Sequence, residues 1–280
     1  MALAIALAVV IITFLSGYFF WAHTWWFPVD ISTHGHAIDR QFMLTLIITG
    51  VIFVLAQCAL AYALWRYRDR GDGQKAHYSH GNNKLELTWT TAAAIMFIGL
   101  NLMGYHIWAG IHFVGAQPGA MKIEVWGQQF AWYFRYPGPD GQFGPNHIGS
   151  KFDAATGKYI EDNKVNDATG NFLGLDREHD AASKDDIVTA TLAIPVHQPV
   201  EITLRAKDVT HSFFVRELRL KQDLVPGMEI PIHFTATKTG RYEIACAELC
   251  GLGHYKMRAF MDVMTQEDYQ NWLQKMAEAQ

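Results

Sequence analysis

The chain has 280 residues, half of them apolar, and a formal net charge of −4. It carries no basic stripe and no basic–aromatic interleaving, which argues against a nucleic-acid partner. A wholly soluble protein is excluded as well, because three uncharged runs, Ala2 to Trp21, Phe42 to Trp65 and Leu87 to Phe113, each reach the ~20 residues needed to cross a bilayer core.

The first run lacks a basic n-region and a clear small-residue cleavage site, so it reads as a retained membrane helix, with a cleaved signal peptide as the alternative. Two or three transmembrane helices, about 2–21, 42–65 and 87–113, therefore form an anchor over 1–114. The loop WRYRDRGDGQK after the second run holds Arg66, Arg68, Arg70 and Lys75, with Lys84 beyond, whereas the connection before it holds only Arg40 against Asp30 and Asp39. The positive-inside bias makes the Arg-rich loop cytoplasmic in either case. The third helix then runs outward and everything after it is exported.

From residue 115 to 265 the pattern changes to short alternating segments such as KIEVWGQQFAWYFRY, PVEITLRA and GRYEIACA, where Tyr242, Ile244 and Cys246 share a face. This predicts a β-sandwich or barrel. Residues 115–280 hold 17 Lys and Arg against 22 Asp and Glu, an acidic balance that weakly favours a cationic partner. The stretch 138–186 is rich in Gly, Asp, Asn and Lys and is read as a loop insertion of solvated hairpins without chemistry. The tail TQEDYQNWLQKMAEAQ predicts a helix over 266–280, opened by Thr265 with Asp268 and packed through Tyr269, Trp272, Leu273 and Met276. No internal repeat is found.

The chemistry lies in CAELCGLGHYKM, Cys246 to Met257. Cys58, in the second apolar run, has no polar neighbours and is expected to be a packed small residue. Cys246 and Cys250 fall in an oxidising compartment, where a structural disulfide is the plain reading. It leaves His254 and Met257 unexplained. Zinc takes Cys and His readily but not a thioether, and no second Cys pair exists. Copper joins thiolate, imidazole and thioether in one site. A mononuclear site needs one Cys and two His, so this stretch has a Cys too many and a His too few. Two sulfurs bridging a pair of copper ions, with one imidazole for each ion, would use them all. Gly251 and Gly253 favour a tight loop that turns several donors toward one centre. The second imidazole is best supplied by His211 in KDVTHSFFV, with His197 and His233 as rivals.

These residues resemble subunit II of the haem-copper cytochrome c oxidases over roughly residues 40 to 265. CAELCGLGHYKM is similar to the family's Cys-x-Glu-x-Cys-x-x-x-His-x-x-Met signature, and KDVTHSFFV to its upstream histidine segment. The resemblance implies a cupredoxin-like Greek-key β-barrel with a binuclear CuA centre of two copper ions. Cys246 and Cys250 would bridge the ions, His211 and His254 would be terminal ligands, and Met257 and the Glu248 carbonyl weak ones. It also implies that the Glu248 carboxylate reaches a Mg or Mn ion shared with subunit I. LKQDLVPG, with Lys221, Asp223, Pro226 and Gly227, is similar to a family turn close to subunit I. LELTWT resembles the start of the helix leading to the copper domain, and Glu86 in it the mouth of a proton-uptake channel. From the residue alone, Glu86 is equally an interfacial anchor.

Some features depart from the family pattern. Where the family often has Gly-His-Gln-Trp-x-Trp this chain has GQQFAWYF, so Phe130 replaces the Trp thought to receive electrons, while Trp132 is retained. A packed aromatic cluster is the alternative for both. The third helix lacks the usual proline, and the first apolar run is additional.

The implied function is electron acceptance from cytochrome c or a similar carrier and delivery to haem in subunit I, within a proton-translocating oxidoreductase. The implied location is a bacterial plasma membrane, multi-pass, with a periplasmic C-terminal domain. Subunit I, other oxidase subunits and membrane lipid are the implied partners. The 138–186 loop and the first helix are possible contact surfaces for a supercomplex with an upstream respiratory complex. The chain has no oxygen-reducing site of its own and no Cys-x-x-Cys-His for a fused c-type haem. Quinol-oxidising relatives lack the copper ligands, nitrous oxide reductase has a soluble architecture, and a copper chaperone would favour an exposed mononuclear site. A disulfide-bonded structural domain is the remaining alternative.

Overall fold

Each uncharged run forms a helix, because lipid offers no partner for backbone polar groups and a helix satisfies them internally. The computed structural model describes all residues except 23–26, 74, 76, 77, 79, 163–170 and 280. In it α1 spans Ala2–Trp21, α2 Gly35–Arg66 and α3 Asn83–His112. All three are long and apolar enough to cross a membrane. Helices α2 and α3 extend beyond the expected 42–65 and 87–113 at their N-terminal ends, where polar residues such as Asp39, Arg40 and Lys84 continue the helix as solvated turns. Asn82 caps α3, its side chain accepting from Leu85 N at 3.2 Å. Helix α1 packs on α2, and Gln41 Nε2 of α2 donates to Leu100 O of α3 at 3.1 Å. Cys58, expected to be packed, is exposed on α2, since so few helices leave much of each surface uncovered.

The chain divides into two compact units, Met1–Val29 with Gly35–Phe113, and Asp30–His34 with Val114–Gln280. The second is a sandwich of two five-stranded sheets. In the first sheet the order is β10 (Ile230–Thr235), β7 (Pro199–Ala206), β1 (Met121–Gln128), β2 (Ala131–Tyr136) and β5 (Ile187–Thr189). In the second it is β6 (Thr191–Pro195), β12 (Arg258–Met264), β11 (Gly240–Cys246), β8 (His211–Val215) and β9 (Leu220–Leu224). The pairs β1–β7 and β6–β12 are parallel and the others antiparallel. A bridge between Ala206 and Pro226 links the sheets at one corner. Alternation drives the packing: in β7, Val200, Ile202, Leu204 and Ala206 are buried while the residues between them are half-exposed. Phe213, Val215, Ile244 and Met261 of the second sheet are equally buried. The architecture expected from the sequence, apolar helices followed by an all-β sandwich or barrel, is the one observed.

Asp30–His34 adds to the sandwich: Ile31 N donates to Glu217 O at 3.1 Å, Thr33 N to Thr235 O at 3.2 Å, and Thr237 N to Ile31 O at 2.7 Å. Ile31 is fully buried there. The 138–186 stretch contains the expected hairpin, β3 (Ser150–Asp153) with β4 (Lys158–Glu161). It is also tied to the sheet by the buried Arg135 of β2, which reaches Asp186, Asn146 Oδ1 at 2.7 Å and Gly144 O at 2.5 Å. The same guanidinium pairs with Glu124 Oε2 of β1 at 3.0 Å. Helix α4, Gln266–Ala279, starts with Asp268 N donating to Thr265 Oγ1 at 3.2 Å and buries Tyr269.

Candidate metal centre

His211 opens β8 and Cys246 closes β11, and the antiparallel register Cys246–Phe213 brings those ends to the same edge of the second sheet. Beyond Cys246 the chain loops out and returns through a 3₁₀ turn, His254–Lys256, to β12. The loop is fastened at its base by Ala247 N to Ser212 O at 3.0 Å and Cys246 N to Met257 O at 3.1 Å. Gly251 takes φ +129, a conformation that side chains rarely adopt and that lets the loop turn back on itself.

The turn-back collects the donors. Cys246 Sγ lies 3.8 Å from Cys250 Sγ, 3.9 Å from His211 Nδ1 and 3.2 Å from the Glu248 carbonyl. Cys250 Sγ lies 3.7 Å from His254 Nδ1 and 3.8 Å from Met257 Sδ. Both sulfurs are unbonded thiols. His211 is fully buried, Cys246, Cys250 and Met257 are 9%, 4% and 2% exposed, and His254 is half-buried.

His211 Nε2 lies 2.8 Å from Asp208 Oδ1. A carboxylate accepts only, so Nε2 carries a proton, and Nδ1 is the ring atom that faces the sulfur and that an imidazole ligand would present to a metal. Gly127 of β1 makes room for the ring, since a Cβ there would come 2.9 Å from His211 Cδ2. Burial pushes the Cys246 thiol up, but the His211 ring and backbone groups of Ser212 and Glu248 outweigh it and bring the group down to about 6. Burial together with the neighbouring Cys246 pushes Cys250 up to about 11. A metal ion would therefore have to displace the second proton. Two thiols, two imidazoles, a thioether and a carbonyl linked by contacts of 3.2–3.9 Å form a set that suits copper.

The other predicted residues are distributed as follows. Phe130 lies in the turn between β1 and β2 and is 37% exposed, whereas Trp132 is 2% exposed with its ring centroid 6.2 Å from that of His211. The Glu248 side chain is exposed on the loop. Asp223 of LKQDLVPG pairs in register with Ser212, next to His211, and its carboxylate meets Lys221 Nζ at 2.9 Å. Glu86 is exposed in the first turn of α3. His197 sits exposed in the turn after β6 and His233 on β10 opposite Glu201, so neither belongs to the donor cluster. Sequence reasoning missed Asp208, Gln129 and Gly127. Of these only Asp208 carried a signal, an acid three residues before a candidate ligand.

The family model described as cytochrome C oxidase subunit II, periplasmic domain, matches residues 121–264, and that of the subunit II transmembrane domain matches residues 20–107. Alternative cytochrome c oxidase subunit 2 of Bradyrhizobium diazoefficiens is 33% identical over 275 residues, covering 98% of this chain and 92% of that protein. Cytochrome c oxidase subunit 2 of Synechocystis sp. is 28% identical over 268 residues, covering 90% and 76%. The crystal structure of the periplasmic domain of subunit II of cytochrome oxidase of Bradyrhizobium japonicum aligns with TM-score 0.40 and 22% identity, over 59% of this chain and 98% of that one. With its helices and its sandwich each matched in chain order, and a relative one-third identical along almost the whole length, this chain belongs to the cytochrome c oxidase subunit II family, a subunit of a terminal oxidoreductase.

Proposed function

We propose that this chain is the electron-accepting subunit of a membrane terminal oxidase, taking electrons from cytochrome c or a similar small carrier and passing them to haem in subunit I. The observation that carries the reading is the pair of unbonded, buried sulfurs 3.8 Å apart with an imidazole nitrogen beside each. Cys246, Cys250, His211, His254, Met257 and the Glu248 carbonyl would hold two copper ions, a centre that when bound supplies reversible one-electron storage shared between two metals. The protein's own contribution is to keep the donors in place and dry. Asp208 fixes the His211 ring, the loop hydrogen bonds hold the sulfurs together, and burial of Met257 closes one side of the site to water. Low exposure and fixed donors limit the rearrangement that accompanies a change of charge.

Leu249, Leu252 and Tyr255, exposed at 77%, 96% and 83%, project from the same loop and offer a carrier an apolar landing surface. The exposed Glu248 carboxylate would reach the Mg or Mn ion shared with subunit I. Glu86 would stand at the mouth of a proton-uptake path on the cytoplasmic side. The sandwich would lie on the periplasmic side of a bacterial plasma membrane, since the Arg-rich loop before α3 favours the cytoplasm. Anaerobic mixing of the copper-loaded full chain with reduced cytochrome c tests the reading: one carrier should be oxidised per copper pair. A chain that binds copper but leaves the carrier reduced would sink it.

A further inference from the structure

The two-residue turn between β1 and β2 is bonded to both halves of the donor cluster by separate contacts. Gln129 N donates to Asp208 Oδ2 at 2.8 Å, and Oδ1 of the same carboxylate holds His211 Nε2 at 2.8 Å. The Gln129 side-chain amide donates to the Cys250 carbonyl at 2.5 Å. One residue thus reaches the histidine side through its backbone and the cysteine side through its side chain.

The next residue makes use of this arrangement. The Phe130 ring lies against the cysteine loop so closely that a Cβ at Gly253 would overlap it, and a Cβ at Gly251 would come 3.1 Å from Phe130 Cζ and 2.8 Å from Gln129 Nε2. The two glycines form a socket for the turn. Phe130 remains 37% exposed, whereas Cys246 and Cys250 are 9% and 4% exposed. Trp132, at 2%, is out of reach of any docked partner.

We propose that Gln129 is a positioning residue: by bonding at once to the Cys250 carbonyl and, through Asp208, to His211, it fixes the Phe130 ring over the donor loop and so sets the rate of electron transfer from a docked carrier. This rests on the electron-accepting role proposed above. The step is an outer-sphere transfer in which the carrier loses one electron and the centre gains it. No bond forms or breaks and no proton moves. A glutamine suits the task because its amide donates to a carbonyl without adding charge beside the donors.

The test uses the copper-loaded full chain with Gln129→Leu, which keeps the volume and removes the donor, and Gly253→Ala, which displaces Phe130 without touching Gln129. Three readings are taken on each: copper content with the paramagnetic hyperfine pattern, the rate of reduction by reduced cytochrome c, and the rate of reduction by hexaammineruthenium(II), a small reductant that needs no docked ring. Both variants should keep the copper and the wild-type hyperfine pattern. The cytochrome c rate should fall about tenfold, the order of effect that loss of a positioning contact produces, while the small-reductant rate stays within about twofold. An unchanged cytochrome c rate in Gln129→Leu would overturn the proposal. So would copper loss in that variant, which would make Gln129 a support of the metal rather than of the ring, and so would equal slowing with both reductants. A wild-type chain without a two-copper signal would overturn the underlying functional reading and this proposal with it.

Discussion

His211 is held beside the cysteine sulfurs by residues outside the donor motif. Asp208 holds its Nε2, Gly127 leaves space for the ring, and Trp132 meets it edge-on. Replacing Asp208 with Ala frees the ring to rotate, and copper affinity measured by chelator competition should fall about 10- to 100-fold, as when an outer partner of a metal-bound imidazole is lost. An unchanged affinity would show that packing alone holds the ring. The proposed ligands should separate by role. Met257→Leu should retain copper and shift its reduction potential, because a thioether is a weak donor, whereas Cys250→Ser should lose the paired-copper signal. Equal metal loss in both would contradict that ranking. Cys246, Cys250, His254 and Met257 were legible in the sequence because they crowd into one stretch. Gln129 and Gly127 were not, because they become neighbours of the site only when β1 and β8 face each other across the sandwich, and Asp208 carried only its spacing, three residues before His211.

Among the elements, the strands were legible from alternation, as PVEITLRA and β7 illustrate. The 138–186 stretch was read as solvated hairpins, and β3 with β4 agrees, but its attachment was hidden. Arg135 lies in an alternating strand, and its partners Gly144, Asn146 and Asp186 lie in a segment with no apolar periodicity. Burial pushes the Asp186 carboxyl up against the pull of Arg135, so the pair depends on close geometry. Arg135→Ala leaves Asp186 buried without its cation, while Glu124 keeps Arg205 Nε at 3.0 Å, and should cost about 3–5 kcal/mol, read as a drop in the urea midpoint of the sandwich. A midpoint unchanged from wild type would mean that water reaches the cluster.

Asp176 provides a second handle on the same segment. Burial works against its charge, but the Tyr159 hydroxyl and the His179 N–H and ring bring the carboxyl from 3.8 down to about 2. The folded form therefore holds its proton less tightly than the unfolded chain. The stability this provides is present above the unfolded value and is lost as pH falls from about 4 to about 2. With solvent screening allowed for, Asp176→Asn should remove about 1 kcal/mol at neutral pH and flatten that part of the acid-unfolding curve. A variant as acid-sensitive as wild type in that window would contradict the assignment.

At the scale of the whole molecule, the apolar runs and the Arg-rich loop made the membrane anchor legible. The participation of Asp30–His34 in the sandwich was not, since a short polar segment carries no periodicity and its pairing with Thr235 to Thr237 is remote in sequence. Those contacts make Asp30–His34 part of the sandwich unit. The acidity of residues 115–280 is also unevenly spread. Residues 138–186 hold ten of the 22 acids and five of the 17 bases, so the remainder, including the donor loop, is electrically balanced.

The central claim is the pair of coppers, and the most direct measurement is metal analysis combined with electron paramagnetic resonance on the full chain in detergent. Two coppers per chain sharing one unpaired electron are expected, seen as a seven-line hyperfine pattern. One copper with a four-line pattern, or no copper and a Cys246–Cys250 disulfide, would contradict it.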